Sequence, residues 1–552
     1  MPRNEALRAL LLARERLRTY NNLHSKKKSW GGAMSSRIPG ATLIVAWGAF
    51  APAALALPPT PPPQVELFIS GSSAQDEVLE NLLRLASGIT GAPNICEPGT
   101  LDIYRGTING TANRVFYCRT TNAVSGLAAG LRLAIYKSSG GSGEGVTPVS
   151  AGTPLRFIDL NKLAAVPSCI TGEAARGTPD FAAYRNHTGC NGEGHPAVPR
   201  AGLSDVNPEL VGGVTAPLAV KAQNEIVWGL PVSKNLRNAL QTIQGLVSST
   251  VPHDDPSRDT EEAMPTIARA QVAALFAGAV KSWDDFYDSK GTPLTRSTFL
   301  GLNPPRDPDA SGASPGAYRP DRVTGSTVFI CRRIASSGTQ ASYEVHYLRA
   351  RCEASAPPFV KPNDGSDLIV GGDVNHLVRV PHPSGNVFAG LGTGDVRDCL
   401  DAHAEFNRWA IGILSTESVG NNGTRKFRFM KVDGSAPTLL NAYLGRWPHV
   451  TEQSMQWRQS FNGSLESSNE GRVLRFVATN LGSPRVIAAL NSGFVHPWGQ
   501  GGYLAPAGSG FPPPAPPVTA DALRLNPVGS LALSLGRMND CGEPIVVRPT
   551  GL

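Results

Sequence analysis

Beyond residue 64 the apolar positions switch repeatedly between two periods. Val65-Glu66-Leu67-Phe68-Ile69 is a short, mostly apolar run closed by a Ser/Gly turn and predicts a short strand. Ser70-Gly71-Ser72-Ser73 then predicts a turn. From Ala74 to Ser87 the apolar residues Val78, Leu79, Leu82, Leu83 and Ala86 recur every three or four positions, which predicts an amphipathic helix. A serine cap and the acidic pair Asp76 and Glu77 suit its first turn. A second helix is expected through Ile267, Ala268, Val272, Leu275, Phe276 and Ala279. A third unit reads as the strand Thr327-Val328-Phe329-Ile330, a turn over 332–337 and a helix over 338–350. Trp409-Ala410-Ile411-Gly412-Ile413-Leu414 reads as another strand. Such alternation predicts an α/β fold with helices flanking sheets.

The amino-terminal stretch has a different character. Residues 41–56 read ATLIVAWGAFAPAALA and close on Ala54-Leu55-Ala56, which suits signal-peptidase cleavage before Leu57. On this reading 34–56 is a signal peptide starting at Met34. Residues 1–33 are then a mis-assigned upstream extension, and 57–64 is a stiff proline-rich linker. The formal charge of +7 invites a nucleic-acid partner. Of the 51 basic and 44 acidic residues, however, the first 56 positions hold nine and two, so the remainder carries 42 of each. A neutral body excludes the nucleic-acid reading. With 552 residues, two to four domains are expected, and 59 Gly and 46 Pro predict many turns.

Eight cysteines, Cys96, Cys118, Cys169, Cys190, Cys331, Cys352, Cys399 and Cys541, all follow the expected cleavage point. Their even number and the lack of a Cys-x-x-Cys pair predict disulfides formed in an oxidising compartment. Proximity in sequence suggests Cys96–Cys118 and Cys169–Cys190. Three pairings are open for the last four. A helix between Cys331 and Cys352 would hold them about 20 Å apart, so the expectation leans to Cys352–Cys399, with Cys331 joined to Cys541.

Three Ser/Gly turns carry the candidate chemistry: Ser70-Gly71-Ser72-Ser73, Ser138-Ser139-Gly140-Gly141-Ser142-Gly143 and Ser336-Ser337-Gly338-Thr339. The first and third stand between a strand and a helix, where first-turn N–H groups lack partners and the helix end is electropositive. Such turns cradle oxyanions. Arg332-Arg333 precedes the third turn and could bind an oxyanion bidentately. Gly202-Leu203-Ser204-Asp205 adds a carboxylate. An acidic group in an anion site accepts a hydrogen bond from a protonated anion and repels a fully ionised one, so it selects phosphate over sulfate.

These residues resemble the periplasmic phosphate-binding proteins of ABC-type phosphate importers, in the type II periplasmic-binding-protein-like family. The resemblance rests on the loop Ser70–Ala74, on Gly141-Ser142-Gly143, on Gly202-Leu203-Ser204-Asp205 and on Arg332-Arg333-Ile334-Ala335-Ser336-Ser337-Gly338-Thr339. It also rests on the stretch Phe276–Asp285 with its Trp283-Asp284-Asp285, and on Trp409-Ala410-Ile411-Gly412. It implies a two-lobed α/β fold with phosphate bound between the lobes. One lobe would take 65–225 and return over 405–500; the other would take 226–404; residues 501–552 would form a proline-rich carboxy-terminal extension. The implied phosphate ligands are Ser73, Ala74, Ser142, Asp205, Arg333, Ser337, Gly338 and Thr339. No catalytic residue, metal or cofactor is implied. The partners would be inorganic phosphate and, as candidates, the membrane subunits of an ABC transporter, acting on an exported monomer in the periplasm or at the cell surface.

Two departures bear on this reading. The family's acidic partner of the arginine is replaced by Ala335, and the gaps between the first three loops are long enough to hold disulfide-pinned insertions. They motivate an alternative, the same fold repurposed as a surface or secreted interaction protein. A phosphate-ester hydrolase is a third reading, but no nucleophile–base pair accompanies the turns. The spacing His187-x-x-Cys190-x4-His195 would suit a metal only if Cys190 were a free thiol. Trp283-Asp284-Asp285 reads as a helix cap, and Asp254-Asp255 as a solvated loop.

Overall fold

The computed structural model describes residues 61–85, 94–172, 181–248, 250–287, 290–294, 326–353, 355–360, 368–369, 386–405, 408–418, 424–506, 512–529, 531–532, 540–541 and 545–546. The expected leader therefore lies outside the described residues. Among the described residues, no helix is long and apolar enough to cross a membrane.

The architecture is mixed α/β. The chain opens with strand β1 (Val65–Gly71) and helix α1 (Asp76–Arg84). Strands β2 (Asp102–Ile108), β3 (Thr111–Arg119) and β4 (Arg132–Ser138) follow, then helix α2 (Ser142–Ala151) and strand β5 (Ala201–Ser204). A 16-residue strand, β6 (Leu218–Ser233), leads to helices α3 (Lys234–Ile243) and α4 (Arg269–Phe276). Next come β7 (Phe329–Arg333), α5 (Gly338–Leu348), β8 (Val387–Gly390), α6 (Thr393–Glu405), β9 (Ala410–Gly412), β10 (Leu414–Ser415) and β11 (Phe427–Val432). Strand β12 (Val450–Arg458), helices α7 (Asn469–Asn480) and α8 (Pro484–Asn491) and strand β13 (Tyr503–Leu504) complete the layout.

Two sheets share β6. In the first, the order is β2-β3-β4-β1-β5-β12-β6, with β1 parallel to β4 (Val65 opposite Leu133) and to β5 (Ile69 opposite Ala201). The first half of β6 pairs with β12 from Leu218 to Val227. Its second half turns to β10, β9 and β11, with Leu230 opposite Met430. The second sheet continues β6-β9-β7-β8, with β7 parallel to both neighbours. Strands β9, β10 and β11, expected in the returning part of the first lobe, pair with the second half of β6, and the chain re-enters the first sheet at β12. Tyr503 and Leu504, at the start of the expected extension, add to the first sheet beside β6.

Helix α1 buries Val78, Leu79, Leu82 and Leu83 against this frame, the face that its periodicity predicts. Trp283-Asp284-Asp285 forms a short 3₁₀ turn capped by Ser282, whose side chain accepts the Asp284 N–H, and Trp283 is buried.

Four disulfides are present. Cys96 pairs with Cys118 and Cys169 with Cys190. The expected Cys352–Cys399 and Cys331–Cys541 pairs are replaced by Cys331–Cys399 and Cys352–Cys541. The reason is helix-on-sheet packing. Cys331 stands mid-strand in β7, and α6 lays Val396, Cys399, Leu400 and His403 on that sheet, bringing the Cα atoms to 6.0 Å. Cys352, just beyond α5, is left to hold the carboxy-terminal segment.

Candidate functional site

The carboxyl ends of five strands meet, three of them mutually parallel in the first sheet and two parallel in the second, and strand carboxyl ends are the usual location of ligand sites in α/β sheets. Strand β1 delivers Ser72, β4 delivers α2, β5 delivers Asp205, β7 delivers Arg333 and α5, and β8 delivers Thr393 and α6. All three Ser/Gly turns prove to be strand-to-helix junctions, including the second, where β4 passes through Gly140 and Gly141 into α2.

Asp205 sits where the turns meet. Its Oδ1 accepts a short hydrogen bond from Ser72 Oγ and another from Gln453 Nε2 at 2.7 Å, and its Oδ2 accepts from Ser142 Oγ at 3.3 Å. The Asp205 N–H in turn donates to Ser142 Oγ at 2.9 Å. A carboxylate offers about four lone-pair sites, so three donors leave Oδ2 one acceptor direction. Burial pushes the Asp205 carboxyl above the ordinary carboxylate range, against the pull of Ser72, Gln453, Arg333 and Ser142.

The amino ends of α2 and α5 face each other across this carboxylate. A Cβ on Gly338 would lie 2.2 Å from Ser142 Oγ and 2.8 Å from Asp205 Cβ, so only glycine fits at the first position of α5. The Gly143 N–H donates to Ser336 O at 2.9 Å, joining the second and third turns directly. Ser337 and Thr339 are buried at the α5 amino end, and the Ser337 side chain does not cap its own helix.

Arg333 is only 2% exposed, and burial pushes its guanidinium down to about 10. Three of its donors are used: Nε to Gly390 O at 3.3 Å, Nη1 to Thr393 Oγ1 at 3.2 Å and Nη2 to Leu391 O at 2.5 Å. Among the described residues no carboxylate forms an ion pair with it; Asp205 and Asp395 supply only longer-range countercharge. The end of β8, the residue after it and the Thr393 hydroxyl therefore hold the side chain that Ala335 cannot hold. Nη2 also lies within reach of Gly141, since a Cβ there would stand 3.7 Å from it and 4.0 Å from Ser337 Cα.

The expected ligands thus fall into two groups. Ser142, Asp205, Arg333, Ser337, Gly338 and Thr339 come together. Ser73 and Ala74 instead line the adjoining cavity, and the Ala74 N–H is taken by Ser72 Oγ at 3.2 Å. Ser72 rather than Ser73 reaches Asp205. Ser72 was visible in the first turn, whereas Gln453, 248 positions from Asp205, had no sequence signal. Arg332 turns away, donating to Arg333 O at 2.7 Å and lying over Phe359. At the metal candidate, Cys190 is in a disulfide and His187 Nε2 lies 3.1 Å from Asp102 Oδ1. Cys331, Cys399 and His403 also cluster, but their two sulfurs are bonded to each other and offer no thiolate.

No family profile matches the chain, and no curated protein matches it. Among solved structures, an ABC-type phosphate transport receptor from Vibrio cholerae aligns with 78% of this chain and 98% of its own at 11% identity and a TM-score of 0.32. A phosphate-binding protein from Stenotrophomonas maltophilia aligns with 76% and 84% at 10% identity and a TM-score of 0.32. Overlap this low leaves function to be read from the chemistry of the site.

Proposed function

We propose that the protein is an exported solute-binding protein that takes up inorganic phosphate between its two sheets, for delivery to an ABC-type importer. The observation that carries this reading is the pairing of opposites at one point. A buried guanidinium with no ion-pair partner among the described residues stands beside helix amino ends and a buried carboxylate ringed by three donors. A buried lone cation is costly unless an anion joins it, and helix amino ends favour anions. Asp205 restricts the choice to anions that bring a proton, as phosphate does near neutral pH.

In this reading the two sheets belong to separate lobes, and the passage of β6 from one sheet to the other, with the return through β12, forms the hinge. Ligand enters while the turns are parted, and closure brings α2 against α5. Arg333 neutralises charge, the N–H groups of Gly338 and Thr339 with the hydroxyls of Ser142, Ser337 and Thr339 bind oxygens, and Asp205 Oδ2 accepts the phosphate proton. Isothermal titration of residues 57–552 with phosphate and with sulfate tests it. Saturable phosphate binding at micromolar ligand with little sulfate binding is expected. No phosphate binding in that range overturns the reading.

A further inference from the structure

Two adjacent residues just beyond α5 tie the segment of the third turn to the segment of Asp205. Arg351 is fixed beside its own helix. Its Nε donates to Glu344 Oε2 at 2.5 Å, and its Nη2 donates to Ala335 O at 2.7 Å. Its Nη1 reaches the other side and donates to Leu210 O, in the helical turn Pro208–Val211 that follows β5. Cys352 reaches the same side by a longer route. It is bonded to Cys541, and the neighbouring Asp540 is buried there. Asp540 Oδ2 accepts the Asn207 N–H at 2.6 Å, and its Oδ1 accepts the Glu452 N–H at 3.4 Å.

Both routes end close to Asp205 in the chain or in the sheet. Asn207 follows it by two residues. Glu452 stands between Thr451, whose hydroxyl donates to Asp205 O at 2.7 Å, and Gln453, which donates to Asp205 Oδ1 at 2.7 Å. The opposite ends are anchored at Ala335, which precedes Ser336-Ser337-Gly338-Thr339, and along and just beyond α5, which that turn begins. Neither route uses any of the groups proposed to bind phosphate.

We infer that Arg351, together with Asp540 and the Cys352–Cys541 bond, forms a latch that holds the two lobes together at the anion site and sets how fast a bound anion leaves. This rests on the two-lobe phosphate reading above and adds a control on the same site. The latch touches no ligand, so it favours the closed form whether the cradle is filled or empty. Release requires the lobes to part, and breaking a tie speeds it. The two routes also differ in kind. Arg351 spans the lobes alone. Asp540 and the disulfide act in series, because Asp540 grips the first lobe and Cys541 is bonded to the second, so cutting either loses the whole route.

The test combines small-angle X-ray scattering of the 57–552 chain, with and without phosphate, and stopped-flow measurement of phosphate release. The ligand-free wild type should match the dimensions of the phosphate-bound form. Arg351→Met combined with Asp540→Ala should expand the ligand-free chain, allow it to contract on phosphate addition, and speed release about tenfold or more, the loss expected for hydrogen bonds to charged groups. In a Cys352→Ser, Cys541→Ser background, Asp540→Ala should add nothing, whereas Arg351→Met should add its full effect. Should the serine background fail to fold, the Arg351 and Asp540 variants carry the test with the disulfide intact. Folded variants with wild-type dimensions and release rates overturn the latch and leave the phosphate reading standing, as does a ligand-free wild type already as expanded as the variants. Expansion of the variants in a chain that binds no phosphate upholds the latch and overturns the phosphate reading. With neither expansion nor phosphate binding, both fall. A further effect of Asp540→Ala without the disulfide overturns the series arrangement.

Discussion

Replacing Asp205 with asparagine isolates the role of one proton acceptor while leaving the cradle assembled. The amide oxygen can still accept from Ser72 Oγ and Gln453 Nε2, the two donors that fix Oδ1. The amide nitrogen would take the position of Oδ2, beside Ser142 Oγ and the ligand. Phosphate then loses a charge-assisted hydrogen bond worth roughly 1.5–3 kcal/mol, but it gains a neutral one of about 1 kcal/mol by turning an unprotonated oxygen toward the amide. Its affinity should fall by no more than about tenfold to thirtyfold, at about 1.4 kcal/mol per decade. Sulfate has no proton to donate and meets repulsion in the wild type. In the variant it meets a donor and should bind more tightly. The phosphate-to-sulfate ratio, measured by titration at pH 7.5 and constant ionic strength, should collapse by about a hundredfold or more. An unchanged ratio would refute the assignment of selectivity to Asp205, even if both affinities had moved.

Arg333→Met should abolish phosphate binding yet raise the melting temperature of the ligand-free protein, because it removes a buried guanidinium that has no ion-pair partner among the described residues; differential scanning calorimetry showing a lower melting temperature would contradict that cost. Gly338→Ala should weaken phosphate binding by more than tenfold, since its Cβ would collide with Ser142 Oγ and force α2 and α5 apart; unchanged titration curves would show the two helix ends to be freely separable. Removing the Cys352–Cys541 link as a double serine variant should lower stability by about 2–5 kcal/mol, as expected for a long closed loop, and speed proteolysis of the tail; unaltered urea midpoint and cleavage would argue against the link. His449 is buried and stacks on His346 at 4.3 Å, and burial holds both imidazoles well below their usual range. Both stay neutral in the fold and protonate on unfolding, so their contribution is full above pH about 6.5 and is lost as pH falls below it. His449→Phe should therefore reduce the loss of stability between pH 6.5 and 5 by about 1.4 kcal/mol per pH unit, read from urea melts; parallel pH profiles for the two proteins would rule this out.

The chemistry-bearing turns were legible because each is a local statement. A strand pattern, a Ser/Gly turn and a helix pattern lie within some twenty residues, and the physics of unpaired first-turn N–H groups does the rest. Asp205 was legible for the opposite reason, as a charge of the wrong sign for the site that the turns imply. What stayed hidden depends on how distant segments pack. The choice between Ser72 and Ser73 turns on the exit angle of β1, where Gly71 adopts φ of 110° and a Cβ would strike Leu203 O at 2.1 Å. Gln453 and the Gly390–Thr393 segment reach the site from strands whose partners no periodicity names. The last two disulfides stayed hidden because the helix between Cys331 and Cys352 rules out only that pair, and the packing of α6 on β7 decides between the other two pairings.

Ala335 shows how a local reading misleads when a function is carried by position rather than by residue type. Taken alone, the missing acid leaves Arg333 without an anchor. In the fold, two backbone carbonyls and a threonine hydroxyl hold the guanidinium in place, and none of the three neutralises it. An acidic partner would have fixed the arginine and also consumed part of its charge. Neutral anchors fix it and leave that charge for a ligand. On this argument the substitution strengthens the anion site, and Ala335→Asp should weaken phosphate binding rather than restore it. A gain in affinity on introducing that carboxylate would show that the neutral anchors are a poorer support, and would return Ala335 to the status of a defect.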